Sequence, residues 1–203
     1  MRKRLIAGAL SATVIALLVG VTGCSQPVDQ LAADYREGIG QNYISGDGAY
    51  VFIEPGSRGE TVTFAGELDM GGDFDSGEFA GQPMLVNFWY AGCPPCRLEA
   101  TDLQELNETF TPEGMAFVGI NIYDQRATSL TFAEEFGITY PSILDAGSGL
   151  ARLSFAGQIT PNAVPTTLIL DSDHRVAARV SGLITDMPLL KRMIQDVLSE
   201  AGS

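Results

Sequence analysis

Asn87-Phe88-Trp89-Tyr90-Ala91-Gly92-Cys93-Pro94-Pro95-Cys96-Arg97 joins an apolar run to a helix-forming run across two cysteines. Residues 84 to 90 are almost continuously apolar, the pattern of a strand buried on both faces. Residues 98 to 110 place Leu103, Leu106 and Phe110 on one helical face. The cysteines therefore fall where a strand ends and a helix begins. Unpaired amides and the helix dipole at such a place favour a thiolate over a thiol. Pro95 is tolerated there because the first turn has no use for its missing donor. Cys93 reads as the attacking sulfur. Cys96, one turn further in, reads as the more buried, resolving one, releasing a substrate from the mixed disulfide that Cys93 forms.

A lone Cys-x-x-Cys is also half of a zinc site. Zinc takes about four ligands, and the chain offers only one more cysteine, Cys24, and one histidine, His174. His174 sits in a turn sequence and reads as solvated. No metal and no cofactor is expected.

The outer parts of the chain bear on where this dithiol works. Arg2, Lys3 and Arg4 precede an apolar stretch over residues 5 to 21, followed by Val21-Thr22-Gly23-Cys24-Ser25. This is the layout of a targeting segment. Its end resembles a bacterial lipobox, which implies cleavage before Cys24, a lipid on the Cys24 sulfur and a tether outside the cytoplasmic membrane. The expected division is a signal peptide over residues 1 to 23, a lipidated tether over 24 to 49 and one folded domain over 50 to 203. Three cysteines then become one anchor and one pair, in a compartment where disulfides persist. That pair closes a very short loop and constrains the unfolded chain little, so redox chemistry explains it better than stapling. The net charge of −13 argues against nucleic acid and against direct adhesion to anionic lipid.

Further strands are expected over residues 50 to 53, 115 to 122, 143 to 144, 166 to 170 and 176 to 180. Further helices are expected over 129 to 136, 150 to 155 and 187 to 198. A hairpin begins over 61 to 64, with its partner between 68 and 79 and its tip at 73 to 78. Strands separated by a helix should be parallel, and the last two, joined by the turn Asp171-Ser172-Asp173, antiparallel. This is an α/β plan.

Phe88-Trp89 followed by Cys93-Pro94-Pro95-Cys96-Arg97 resembles the active-site run of thioredoxin-like proteins, specifically the TlpA/ResA branch of exported thiol–disulfide oxidoreductases. Val164-Pro165-Thr166-Thr167 resembles that family's cis-proline segment. The likeness spans roughly residues 60 to 200. It implies a thioredoxin-like fold, a central mixed sheet flanked by helices, here with an extra N-terminal β-hairpin. It also implies a cis Pro165 beside the cysteines and a Val164 backbone that pairs with substrate. Trp89 is assigned to the substrate-binding region, as packing below the site.

Glu99 resembles the ResA-like glutamate. At three-residue spacing it shares a face with Cys93 and Cys96 and could relay the proton that resolution needs. Asn87 stands where thioredoxin has a buried aspartate and cannot titrate. Gly92 stands where the family usually has tryptophan, which removes apolar surface beside Cys93.

The resemblance implies reduction of exported disulfide-containing proteins, such as apocytochrome c, by a monomer fed from a membrane dithiol donor. Oxidation of secreted proteins is the alternative direction. A peroxidase would need Pro-x-x-x-Thr-x-x-Cys, which the chain lacks, and a lipoprotein that only binds a ligand would leave Val164-Pro165 unexplained.

Overall fold

A computed structural model describes residues 49–158 and 163–201. The expected signal segment, the lipidation site Cys24 and the tether up to residue 48 lie outside the described residues. The elements in chain order are β1 Ala49–Phe52, β2 Ala65–Glu67, β3 Asp73–Asp75, β4 Met84–Trp89, α1 Pro94–Phe110, β5 Ala116–Asn121, α2 Arg126–Phe136, β6 Ser142–Leu144, α3 Leu150–Ser154, β7 Thr166–Leu170, β8 Val176–Ser181 and α4 Met187–Ala201.

Six strands form one mixed sheet in the order β1-β8-β7-β4-β5-β6. β4 runs parallel to β5 and β5 parallel to β6, as helical crossovers require. β4 is antiparallel to β7, β7 to β8 and β8 to β1. Every residue of β4, β5 and β7 is buried, which explains their largely apolar spelling. Side-chain alternation then sorts the core. Met84, Val86 and Phe88 join Val118, Ile120, Leu168 and Phe155 in one cluster. Leu85 joins Phe117 and Ile169 under Leu103, Leu106 and Phe110 of α1 and Leu190 and Ile194 of α4.

Several local expectations are corrected. β2 and β3 do form a hairpin, but it opens after Phe64, because Val62 and Phe64 are needed as core residues. Its tip is Met70-Gly71-Gly72, where both glycines have positive φ (97° and 80°), and not residues 73 to 78. Asp73–Asp75 is itself the second strand, and residues 76–79 form a 3-10 turn capped by the Asp75 carboxylate. His174 is buried rather than solvated. It adopts φ 57° in the β7–β8 turn, which turns its ring inward to a 3.1 Å contact with the Gln82 carbonyl.

One buried ion cluster ties the first strand's exit to the far end of the chain. The Arg58 guanidinium donates to the Ile53 carbonyl, to Asp171 at 3.0 Å and to Glu200 of α4 at 2.6 and 2.9 Å. Its side chain is 1% exposed and that of Asp171 4%. The Glu200 carboxylate, aided by Asp171, raises the guanidinium pKa against the cost of burial. Burial opposes ionisation of Asp171, yet the Arg175 amide, with the guanidinium groups of Arg58 and Arg175, holds its carboxyl below the ordinary range. Removing Arg58 takes from the buried Asp171 one of its two guanidinium partners and from Glu200 a two-pronged ion pair. Arg58→Ala is expected to lower stability by about 3 kcal/mol, read by urea unfolding at neutral pH; a change within experimental error would show that the cluster is not a structural tie.

Candidate active site

β4 ends at Trp89, and the chain turns through Tyr90-Ala91-Gly92 into α1. Cys93 is the N-cap of that helix, and its sulfur accepts the Cys96 amide at 3.2 Å. Pro94 and Pro95 occupy the first helical turn, so the helix starts four residues earlier than its apolar periodicity shows. Cys93 and Cys96 form a disulfide with a Cα–Cα distance of 5.3 Å. Cys96 is not the more buried sulfur: Cys93 is 0% exposed and Cys96 3%. Bonded together, both belong to the apolar cluster that contains Val164.

The loop before Cys93 is gripped from two sides. The Ala91 amide donates to Asp124 at 2.6 Å, and the Ala91 carbonyl accepts from Arg97 at 3.2 Å. Asp124 is held in turn by Asn121, and Arg97 by Glu135 at 2.6 Å and by the rings of Phe132 and Phe136. The Tyr90 ring leans over Gly92, where a Cβ would lie 3.2 Å from it. It also meets Tyr123 edge-on, at 5.0 Å between centroids. Tyr90 and Tyr123 thus put aromatic surface beside the position that lacks it.

The Val164–Pro165 peptide bond is cis, and both residues are buried. The Pro165 carbonyl accepts the Gly182 amide at 2.9 Å, which ties this turn to the loop after β8. Trp89 is also buried, with its indole donating to Ser142 at 3.2 Å and packing on Phe132 at 4.3 Å. Its ring is therefore packed below the cysteines, as the sequence reading has it. Gly119 makes room for it: a Cβ there would lie 2.7 Å from the indole nitrogen.

Behind the disulfide lies a polar group in an otherwise apolar core. Glu99 is 1% exposed and so fully buried. One carboxylate oxygen accepts from Asn87 at 3.1 Å and the other from the Ile184 amide at 3.1 Å. Asn87 also donates to Thr167 at 3.1 Å. Cys96 and Asn87 line one small cavity of about 10 Å³ together with Tyr140 and Ser142. Burial pushes the Glu99 pKa up to about 8, with a lesser push from Asp102, and the two hydrogen bonds offset only part of this. Burial, then the neighbouring Glu99 charge, raises the Tyr140 phenol as well.

Spacing on one helix marked Glu99 and the proline segment included Thr167, whereas Tyr140 and Ile184 carried no signal. Thr167, Tyr140 and Ile184 reach the site through β7, the approach to β6 and the loop after β8, and Ile184 contributes only its backbone.

The chain belongs to the AhpC/TSA family, whose pattern it matches over residues 59–179. It is 26% identical over 108 residues to a thiol-disulfide oxidoreductase ResA from Geobacillus thermodenitrificans, a match covering 53% of this chain and 59% of that relative. It is 27% identical over 130 residues to a thiol:disulfide interchange protein DsbE from Vibrio cholerae, covering 61% and 66%. Among solved structures it is similar to a secreted thiol-disulfide isomerase from Corynebacterium glutamicum. That likeness has a TM-score of 0.65 and 28% identity, and covers 75% of this chain and 96% of that one. The thioredoxin-like fold and the ResA-like resemblance read from the two motifs are both borne out.

A carboxyl that titrates near 8 when folded but near 4.5 when unfolded binds more protons in the native state. Stability should therefore fall as pH rises between those values. Glu99→Gln removes this penalty. In the disulfide form the variant's stability gain over wild type is expected to grow from pH 4.5 to about 8 and then level off, reaching a few kcal/mol at most. A gain that does not vary with pH over this range would show that Glu99 titrates as an ordinary carboxylate.

Proposed function

We propose that this chain is an extracytoplasmic thiol–disulfide oxidoreductase that reduces disulfides in exported proteins. The observation that carries the reading is the Cys93–Cys96 disulfide at the start of α1, beside cis Pro165 and backed by the buried Glu99. The Cys93 thiolate attacks one sulfur of a substrate disulfide. The substrate S–S bond breaks, its second sulfur leaves as a thiolate, and a mixed disulfide forms. Cys96 gives its proton to the Glu99 carboxylate and attacks the Cys93 sulfur. The first substrate sulfur is released, the Cys93–Cys96 bond closes, and two electrons have passed to the substrate.

Glu99 suits the acceptor role because its pKa of about 8 lies near that of a free thiol. Asn87, which lines the cavity with Cys96 and donates to Glu99, holds the carboxylate in place. Val164 is the backbone partner for an extended substrate segment. A membrane dithiol donor would return the enzyme to its reduced form. Lipid on Cys24 would hold it at the outer face of the membrane. Apocytochrome c is the substrate favoured by the ResA resemblance, with the enzyme acting as a monomer. Because the bonded Cys93 is covered, an incoming donor must open that cover before its sulfur can be attacked.

One observation favours the opposite direction. The Cys93 sulfur caps the helix and accepts the Cys96 amide, which stabilises a thiolate and hence the reduced enzyme. The reduction potential separates the two. A value at or below about −270 mV is expected for the reductant; a value near the −120 mV, roughly, of a strong oxidant would reverse the assignment. Cys96→Ser should accumulate mixed disulfides through Cys93 in cells, and their absence would sink the exchange mechanism. Glu99→Gln should slow resolution by Cys96 about tenfold to a hundredfold at neutral pH while sparing the first attack. Equal slowing of both steps would mean that Glu99 is not the proton acceptor.

A further inference from the structure

The loop after β8 touches the site twice. Its first residue, Gly182, donates its amide to the Pro165 carbonyl at 2.9 Å. Two residues on, the Ile184 amide donates to Glu99 at 3.1 Å. The next two amides, Thr185 and Asp186, both donate to one atom, the phenol oxygen of Tyr50, each at 2.7 Å. Tyr50 lies on β1, in register with Val180 of β8, and its ring packs on the core beneath α4. Asp186 then caps α4, its carboxylate accepting the Leu189 amide at 2.9 Å. Three consecutive amides are thus fixed by side chains from two remote elements, α1 and β1.

We propose that Tyr50 is a positioning residue for Glu99: by accepting the Thr185 and Asp186 amides it fixes the loop whose Ile184 amide holds the carboxylate. A hydroxyl that accepts two N–H groups removes two directions of freedom from a short loop that is otherwise without regular structure. The neighbouring amide is then aimed before Glu99 ionises, and a hydrogen bond to an ionised carboxylate is among the stronger ones. Without Tyr50's oxygen the two amides turn to solvent, and the Ile184 bond is no longer held in line.

Other groups facing Glu99 set the background. On α1 these are the Asp102 carboxylate, which disfavours ionisation, and Cys96, held in the disulfide. Tyr140 offers a neutral phenol from the approach to β6. Asn87 on β4 is uncharged, as is Thr167 of β7 behind it, and the loop's own carboxylate, Asp186, is engaged at Leu189. The aimed amide is thus one of two groups that favour the charged form, Asn87 being the other.

The functional weight of this inference rests on Glu99 as proton acceptor, but its test does not. In the oxidised protein the cysteines do not titrate, so the Glu99 side-chain carboxyl can be followed alone by carbon NMR. Tyr50→Phe keeps the ring and deletes the acceptor. The Glu99 midpoint is expected to rise by about half a unit to one unit. Turnover at neutral pH would then fall about threefold for each half unit. A midpoint that stays at the wild-type value in the folded variant overturns the proposal.

A measurement on the unaltered chain guards against a variant that fails to fold. The Ile184, Thr185 and Asp186 amides should be protected from hydrogen exchange, and exchange at the rate of open chain would equally overturn the proposal. If the midpoint moves while the pH profile of turnover does not, the proton role of Glu99 fails and the positioning role of Tyr50 stands.

Discussion

β4 is hydrogen-bonded along both edges and covered on both faces, so its chain can deliver chemistry only at its C-terminal end. The rest of the molecule follows from that constraint. The chain leaves β4 at Trp89, turns over three residues and enters α1 with Cys93 as the cap. α1 must then lay Leu103, Leu106 and Phe110 on the sheet, which aims its first turn back across the end of β4 and beside β7. Because β7 is antiparallel to β4, its start lies next to the end of β4, and the cis Val164–Pro165 turn arrives beside the cysteines. The reacting pair and the proposed substrate-binding backbone are neighbours because two strands run in opposite directions.

Around Glu99 the polar groups form one short column. On the face of β4 that holds Leu85, the next inward position is Asn87, flanked in register by Gly119 and Thr167. The Asn87 amide reaches both the Thr167 hydroxyl beside it and the Glu99 carboxylate above it. A buried carboxylate is tolerated only where its oxygens find donors. Here one donor is a side chain and the other a backbone amide from the loop after β8. That loop also carries the amide bonded to Pro165, so the carboxylate and the cis-proline turn share a support. This sharing is the physical basis for treating them as one site.

The buried strands of the central sheet were legible within a residue or so, because burial on both faces leaves little freedom in spelling. The edges were less so. The hairpin slid by a few residues, since Val62 and Phe64 read equally well as strand or as core plug. His174 read as solvated because a turn sequence says nothing about the direction of a ring at positive φ. The start of α1 was legible from the cysteines and Pro95 but not from periodicity, because a first turn of two prolines and a cysteine carries no amphipathic signal. Trp89 read as packing below the site, and the space beside Gly119 and Ser142 holds it there.

The order of residues alone determined the dithiol, its place between strand and helix, and the glutamate one turn later, because each depends on spacing within a single continuous segment. It determined the thioredoxin-like plan through two short motifs some seventy residues apart. Only the tertiary structure decided what surrounds them. Asn87, Tyr140 and the Ile184 amide meet Glu99 from three separate parts of the chain, Thr167 holds Asn87 from a fourth, and Tyr50 reaches the Ile184 loop from a fifth. A hydrogen bond between residues eighty or more apart leaves no periodicity in either segment. A backbone donor leaves no residue type to read at all. The cysteines mark the chemistry in the sequence, and the packing of β4, β7 and α1 sets the environment in which their protons move.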